Sequence, residues 1–199
     1  MTGKERRRQN SKLDFKLMSL VYKLRDFLLP RMEILKEAGI EEGFYVLDFG
    51  CGPGSYVMPL ARLVGDAGKV YALDKNPFAI KAVEALAAKK GLPNVQAILS
   101  DCDTKLPSEG IDVALLYDVL HHLGARDKVL MELHRVLKHH GVLSVSDHHL
   151  KRDDIIRMVT EGGLFKPSME GKRTCRFLKK ETCENGGELD RARTSTEEP

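Results

Sequence analysis

The sequence has no C-x-x-C pair. Its four cysteines, Cys51, Cys102, Cys175 and Cys183, lie too far apart for zinc-type spacing. That excludes a zinc finger, and we expect free thiols in a reducing, cytoplasmic setting. No apolar run approaches the roughly 20 residues that a bilayer crossing requires. The first ten residues are polar and basic with no apolar segment behind them, so no signal peptide is expected. Excess charge is also small: the formal net charge is +3, too little to argue for a nucleic-acid partner by itself. No internal repeat is visible.

The chain of 199 residues is 42% hydrophobic and 31% charged. That length and balance favour one globular unit with a sizeable core. The charge is unevenly placed. Residues 1–37 carry ten Lys/Arg against five Asp/Glu, and the last nineteen residues run acidic. A basic arm can touch phosphates or an anionic surface, or can simply be solvated.

Apolar spacing at three- and four-residue steps predicts an amphipathic helix over 13–27. Its apolar face reads equally as core packing or as a lid. A second helix carries Met32, Ile34 and Leu35 and stops at Gly39. Beyond it, short β-type runs alternate with helical stretches. Strands are expected at 44–48, 69–74, 95–99, 111–116 and 141–146. Helices are expected at 56–64, 77–90, 125–138 and 151–160. Continuously apolar strands separated by helices predict a doubly wound α/β fold, a mostly parallel sheet with helices on both faces. The ending differs: 164–166 and 173–178 are strand candidates joined by a turn-like link at 167–172, which predicts an antiparallel hairpin. The expected organisation is an N-terminal helical arm or lid at 1–38, a ligand-binding domain at 39–180 and a disordered acidic tail at 181–199.

One motif carries chemistry. Gly50, Gly52 and Gly54 follow the first strand and open a helix. Glycine permits a tight turn and close approach of backbone to ligand, and the helix N-terminus offers unpaired N–H groups. Asp48 precedes the turn, where a carboxylate can orient an ammonium group. Asp74 ends the second strand, where an acid can accept from ribose hydroxyls. Asp101 follows the third, within reach of a base's amino group. Any one of these acids reads equally well as a helix N-cap. Three in step with the glycines suit an adenosine carrying an amino acid better than a pyrophosphate. Dinucleotide sites expect Gly-x-Gly-x-x-Gly, and here the third glycine comes one residue early.

The segment Val46-Leu47-Asp48-Phe49-Gly50-Cys51-Gly52-Pro53-Gly54 resembles the first motif of class I S-adenosylmethionine-dependent methyltransferases. Tyr71-Ala72-Leu73-Asp74 resembles their ribose-binding motif, and Ser100-Asp101-Cys102 their adenine-binding segment. The runs Tyr117 to Leu123 and Leu133 to Lys138 resemble the motifs that follow. The resemblance covers about residues 30–180 and looks closest to the broad group of quinone-biosynthesis and small-molecule methyltransferases. It implies a seven-stranded sheet with an antiparallel last strand and S-adenosyl-L-methionine as cofactor. It places the methionine part on Asp48, Gly50, Cys51 and Gly52. The ribose falls to Asp74 with Lys75 and Asn76 beside it, the adenine to Asp101 and Cys102, and the floor near the sulfonium to Tyr117.

Methyl transfer needs a positioned acceptor and, for a protonated acceptor, a base. Histidine suits the second task. The candidates are His122 after the fourth strand and Asp147 with His149 after the fifth. His121-His122 also reads as a strand-end or cofactor-side feature, and His139 and His140 lie in a turn on the opposite edge. Convergence of Asp147, His148, His149 and His122 on a divalent ion is a further reading. Adjacent residues on a strand point to opposite faces, so no metal is expected. The partner implied is a small-molecule acceptor. An RNA or protein substrate held by the basic arm, or a non-catalytic cofactor-binding subunit, are the alternatives. The Asn/Asp-Pro-Pro-aromatic motif of adenine-N6 enzymes and the Pro-Cys pair of cytosine-C5 enzymes are both missing.

Overall fold

Residues 45–49 read Tyr-Val-Leu-Asp-Phe, and their side chains alternate between two apolar layers. In the computed structural model, which describes residues 31–181, this run is β1 (Tyr45–Phe49). Val46 packs in one core cluster, Leu47 and Phe49 in the other, as a strand covered on both faces requires. Parallel neighbours flank it: β2 (Lys69–Asp74), with β3 (Val95–Leu99) beyond, and on the other side β4 (Ile111–Tyr117), with β5 (Leu137–Ser146) beyond. The sheet closes with β7 (Cys175–Lys179), antiparallel to β5, and the edge strand β6 (Phe165–Glu170), antiparallel to β7. The order is β3-β2-β1-β4-β5-β7-β6. The strand order reverses between β1 and β4, so their carboxyl ends open the crevice in which an α/β sheet binds ligands.

Helices cover both faces. On one face α1 (Arg31–Ala38) and α2 (Val57–Val64) bury Leu35, Ala38, Leu60 and Val64 against Val46, Val70 and Leu115, and α3 (Pro77–Lys90) adds Val83 over Ala72. On the other, α4 (Arg126–Val136) and α5 (Arg152–Thr160) bury Leu133 and Val159 against Leu47 and Leu116. The fold is therefore the doubly wound, mostly parallel seven-stranded sheet with an antiparallel last strand. The helix expected at 13–27 and nearly all of the tail lie outside the described residues. Among the described residues no helix is long and apolar enough to cross a membrane.

Two expectations are corrected. The helix expected to run to residue 138 ends at Val136, because Leu137 pairs with Ile111 in the sheet. The register then shifts so that Val113 meets Val142, and 138–141 bulges between them with His139 and His140 exposed at the amino end of β5. The link at 167–172 is also shorter than expected. Strand β6 continues through Pro167 to Glu170, and the register slips between Pro167 and Met169. Proline is tolerated there because an edge strand has no ladder bond to lose on its outer side.

One carboxylate joins the ends of the fold. Glu37 on α1 accepts from the backbone N–H groups of Arg173 and Thr174 and from Thr174 Oγ1, each at 3.0 Å. Burial alone would push its carboxyl up, but these hydrogen bonds hold it below its ordinary range. Glu37→Ala should cost about 2 kcal/mol, since a charged acceptor serving several donors is lost. Urea unfolding checks this, and an unchanged midpoint would show that the β6–β7 turn holds without α1.

Candidate functional site

The turn after β1 is built by backbone hydrogen bonds. The N–H groups of Gly50 and Cys51 both donate to the Leu73 carbonyl, at 2.7 and 2.9 Å. Gly50, Gly52 and Gly54 have φ of +79°, +52° and +87°, conformations that glycine adopts without strain. A Cβ on Gly50 would overlap Val119 Cγ2, whereas one on Gly52 would meet no atom within 4 Å. The turn therefore presses against the β4 side at Gly50 and is open at Gly52.

The acids at the strand ends play different parts. Asp74 pins the turn: its Oδ2 accepts from Gly52 N at 2.9 Å and its Oδ1 from Asn76 N at 2.8 Å. Burial raises its carboxyl, with those N–H groups opposing. Each oxygen keeps a further lone pair for a ligand hydroxyl. Asn76 has a structural task of its own, as the N-cap of α3 with its Oδ1 accepting from Phe78 N at 2.9 Å. Lys75 is exposed beside it. Asp101 is exposed just past β3, and Cys102 is half-buried against the core. Their loop is held by Glu132 on α4, which accepts from Thr104 N at 3.0 Å.

Asp48 is the buried member. It is 2% exposed, and its Oδ2 has no hydrogen-bond partner among the described residues. Burial first, then the charge of Asp74, pushes its carboxyl up to about 7, with Arg31 opposing. Around it a narrow cleft is lined by Gly50, Cys51, Gly52, Tyr56, Tyr117 and Asp118. Tyr117 is buried and shares a 2.9 Å hydrogen bond with Ser144 Oγ. Its ring meets the edge of Tyr56 at 5.2 Å, and the Arg31 guanidinium lies 4.4 Å over Tyr56. A larger hollow of about 450 Å³ lies by His139, His140 and Lys179, away from the glycine turn, and gathers none of the expected site residues.

These features fit the cofactor the sequence implies. A buried carboxylate oxygen without a donor calls for an ammonium group. An unobstructed glycine calls for a ligand lying against backbone.

At the ends of β4 and β5 four histidines and two acids gather. Asp147 is buried. Its Oδ2 accepts from His121 N at 3.2 Å and meets His121 Nδ1 at 2.7 Å, and its Oδ1 accepts from His149 N at 3.0 Å. The ring it serves is His121. The His149 ring packs 4.3 Å from His121 and 3.8 Å from His148. His122 lies 3.9 Å from His121, and its imidazole is held below its ordinary range by burial first and then by the charge of His121. A pair not foreseen joins them: His148 Nδ1 to Asp118 Oδ1 at 2.6 Å. The expectation that neighbouring histidines diverge fails because β5 ends at Ser146, and residues 147–150 form a turn in which strand alternation no longer holds. The adjacency of β4 and β5 was the signal that brings residues just beyond both strands together.

A family model described as "Methyltransferase domain" matches residues 40–189. The demethylmenaquinone methyltransferase of Geobacillus stearothermophilus is 29% identical over 135 residues, covering 67% of this chain and 58% of that protein. The carboxy-S-adenosyl-L-methionine synthase of Dichelobacter nodosus is 24% identical over 160 residues, covering 79% and 66%. The chain thus spans about half to two thirds of the length of these curated relatives. Among solved structures, a SAM-dependent methyltransferase from Aquifex aeolicus superposes with a TM-score of 0.68 at 27% identity, covering 76% of this chain and 88% of that one.

Proposed function

The chain belongs to the methyltransferase-domain family of class I S-adenosylmethionine-dependent methyltransferases, and on that premise we propose that it methylates a small-molecule acceptor. The observation that carries this reading is Asp48, a buried carboxylate beside an open glycine turn with one oxygen lacking a donor. It receives the ammonium group of the donor's amino-acid part. Gly50 and Gly52 let the backbone approach that part, and Cys51 closes the turn beneath it. Asp74 turns its remaining lone pairs to the ribose hydroxyls beside Lys75 and Asn76. Asp101 accepts from the adenine amino group with Cys102 alongside, and Tyr117 forms the floor.

The bound cofactor supplies a methyl group on a positively charged sulfur. The protein's part is to align the acceptor, exclude water and take up a proton where the acceptor carries one. His122, kept neutral at pH 7 by burial and its neighbours, and His149 are the proton acceptors, and Asp147 positions both segments.

Calorimetry with S-adenosylmethionine and with NAD, followed by transfer of labelled methyl to a metabolite mixture, tests the reading. Demethylmenaquinone, named in the Geobacillus relative, is the first single acceptor to try. Binding of the donor alone, with label in a small molecule, is the expected result. Label only in RNA or protein would overturn the acceptor class, and no donor binding would overturn the whole reading.

A further inference from the structure

Asp118, Asp147 and His148 come from two chain segments that meet past the ends of β4 and β5. Each offers one ligand atom, and the three atoms lie within 4.8 Å of one another. We propose that they form a binding site for a divalent cation on the wall of the cleft. Two carboxylate oxygens and one imidazole nitrogen are the donor mixture that Mn²⁺, Fe²⁺ and Zn²⁺ accept. Ligand atoms about 2.1 Å from one ion stand roughly 3 to 4 Å apart, so small side-chain shifts close the set.

The surroundings are those of a built site rather than of scattered surface acids. The Asp147 side chain is 0% exposed, and that of Asp118 is 18% exposed. Both Asp147 oxygens are fixed by hydrogen bonds, from His121 on one and from His149 N on the other. Outer hydrogen bonds of this kind aim a carboxylate at an ion and hold it there. The third donor, His148, is 58% exposed, so the position can be reached from solvent. Its Nδ1 meets Asp118 Oδ1 at 2.6 Å, a bond that coordination would replace.

The position gives the cation a purpose. Asp118 lines the cleft with Asp48, Gly50 and Tyr117, so it belongs to both sites. An ion there stands beside the methyl donor's cleft, where an oxygen-bearing acceptor is a natural further ligand. The cation site stands on its own donors, and only the acceptor's class rests on the proposed methyl transfer.

Titrating the full chain with Mn²⁺, followed by loss of the free-ion electron paramagnetic resonance signal, tests the site. One saturable site is expected. Asp147→Asn and His148→Ala should each weaken it by about 100-fold, since each removes a direct ligand. His149→Ala, which removes a ring outside the donor set, should leave it within about threefold of the parent chain. His148 is exposed, so its variant keeps the fold, and calorimetry with S-adenosylmethionine on the same sample checks this. No saturable Mn²⁺ binding, or binding unchanged in both ligand variants, would overturn the proposal. Loss of donor binding with cation binding intact counts against the methyl-transfer reading and leaves the cation site standing.

Discussion

Replacing Asp48 with asparagine should make the ligand-free protein more stable at pH 8 while abolishing binding of S-adenosylmethionine. Asp48 sits in the core with its carboxyl pushed up to about 7 from an ordinary 3.8, first by burial and then by Asp74. Between those two values the folded chain holds a proton that the unfolded chain has released. Stability therefore falls as pH rises through that window, and the loss is complete above 7. A separation of about three units corresponds to roughly 4 kcal/mol. Asparagine carries no charge and escapes this loss, but its amide still lacks a partner, which costs about 2 kcal/mol. The net gain at pH 8 is about 2 kcal/mol, or roughly 5 °C in Tm for a chain of this size.

At pH 5 the parent's Asp48 is largely protonated, and the two proteins should melt within about 2 °C of each other. Donor at about 100 times its Kd should stabilise the parent by about 2.7 kcal/mol and the variant hardly at all. Melting curves from pH 5 to 8.5, with and without donor, separate the effects. A variant that is less stable at pH 8 and still stabilised by donor would show that Asp48 is an ordinary core polar group. Donor stabilisation confined to the parent would show that the ligand's ammonium offsets the charge that Asp48 carries in the ligand-free state.

Part of this architecture is legible in the sequence. Strands β2 and β3 and helix α3 fall on the expected residues because their ends are written locally. Pro77 can open a helix, Asn76 can cap it, and Gly91 at φ +61° can end it. The boundary between α4 and β5 was not written locally. Leu137 follows Leu133 by four residues, so it continues the helical face as well as it starts a strand. Only pairing with Ile111 decides between them. The glycine turn was readable as a motif, whereas the unpartnered oxygen of Asp48 depends on how the chain packs around it and has no signature in the sequence.

The histidines show the same division. The doublets His121-His122 and His148-His149 are plain in the sequence, as is their place after adjacent strands. Which acid serves which ring depends on two backbone details. Asp118 adopts φ +56° with its N–H on Ser146 O at 2.7 Å, and β5 stops at Ser146. Together they turn Asp118 towards His148 and leave Asp147 to His121. Neither detail has a residue-type signature, since aspartate enters the left-handed region only occasionally.

Gly50→Ala should be the most damaging single-methyl change in the cleft, and Val119→Ala should partly repair it. The new Cβ would overlap Val119 Cγ2 and lie 3.2 Å from Cγ1, on a β-branched side chain with little rotamer freedom. Alanine at φ +79° adds backbone strain of about 1 kcal/mol, and the overlap adds about 2 kcal/mol. The single variant should lose about 3 kcal/mol in urea unfolding, and its donor affinity should fall by about 100-fold, because relief comes only by moving the turn or the β4 end that line the cleft. In the double variant the methyl that caused the overlap has space, so about 2 kcal/mol and most of the affinity should return. Additive losses in the double variant would show that the turn and Val119 do not touch. Gly52→Ala supplies the contrast: its Cβ meets no protein atom within 4 Å. It should cost only about 1 kcal/mol of stability, from its positive φ, yet remove donor binding as fully as Gly50→Ala. A large loss of affinity with a small loss of stability at Gly52 locates the ligand in the space that the protein itself leaves open.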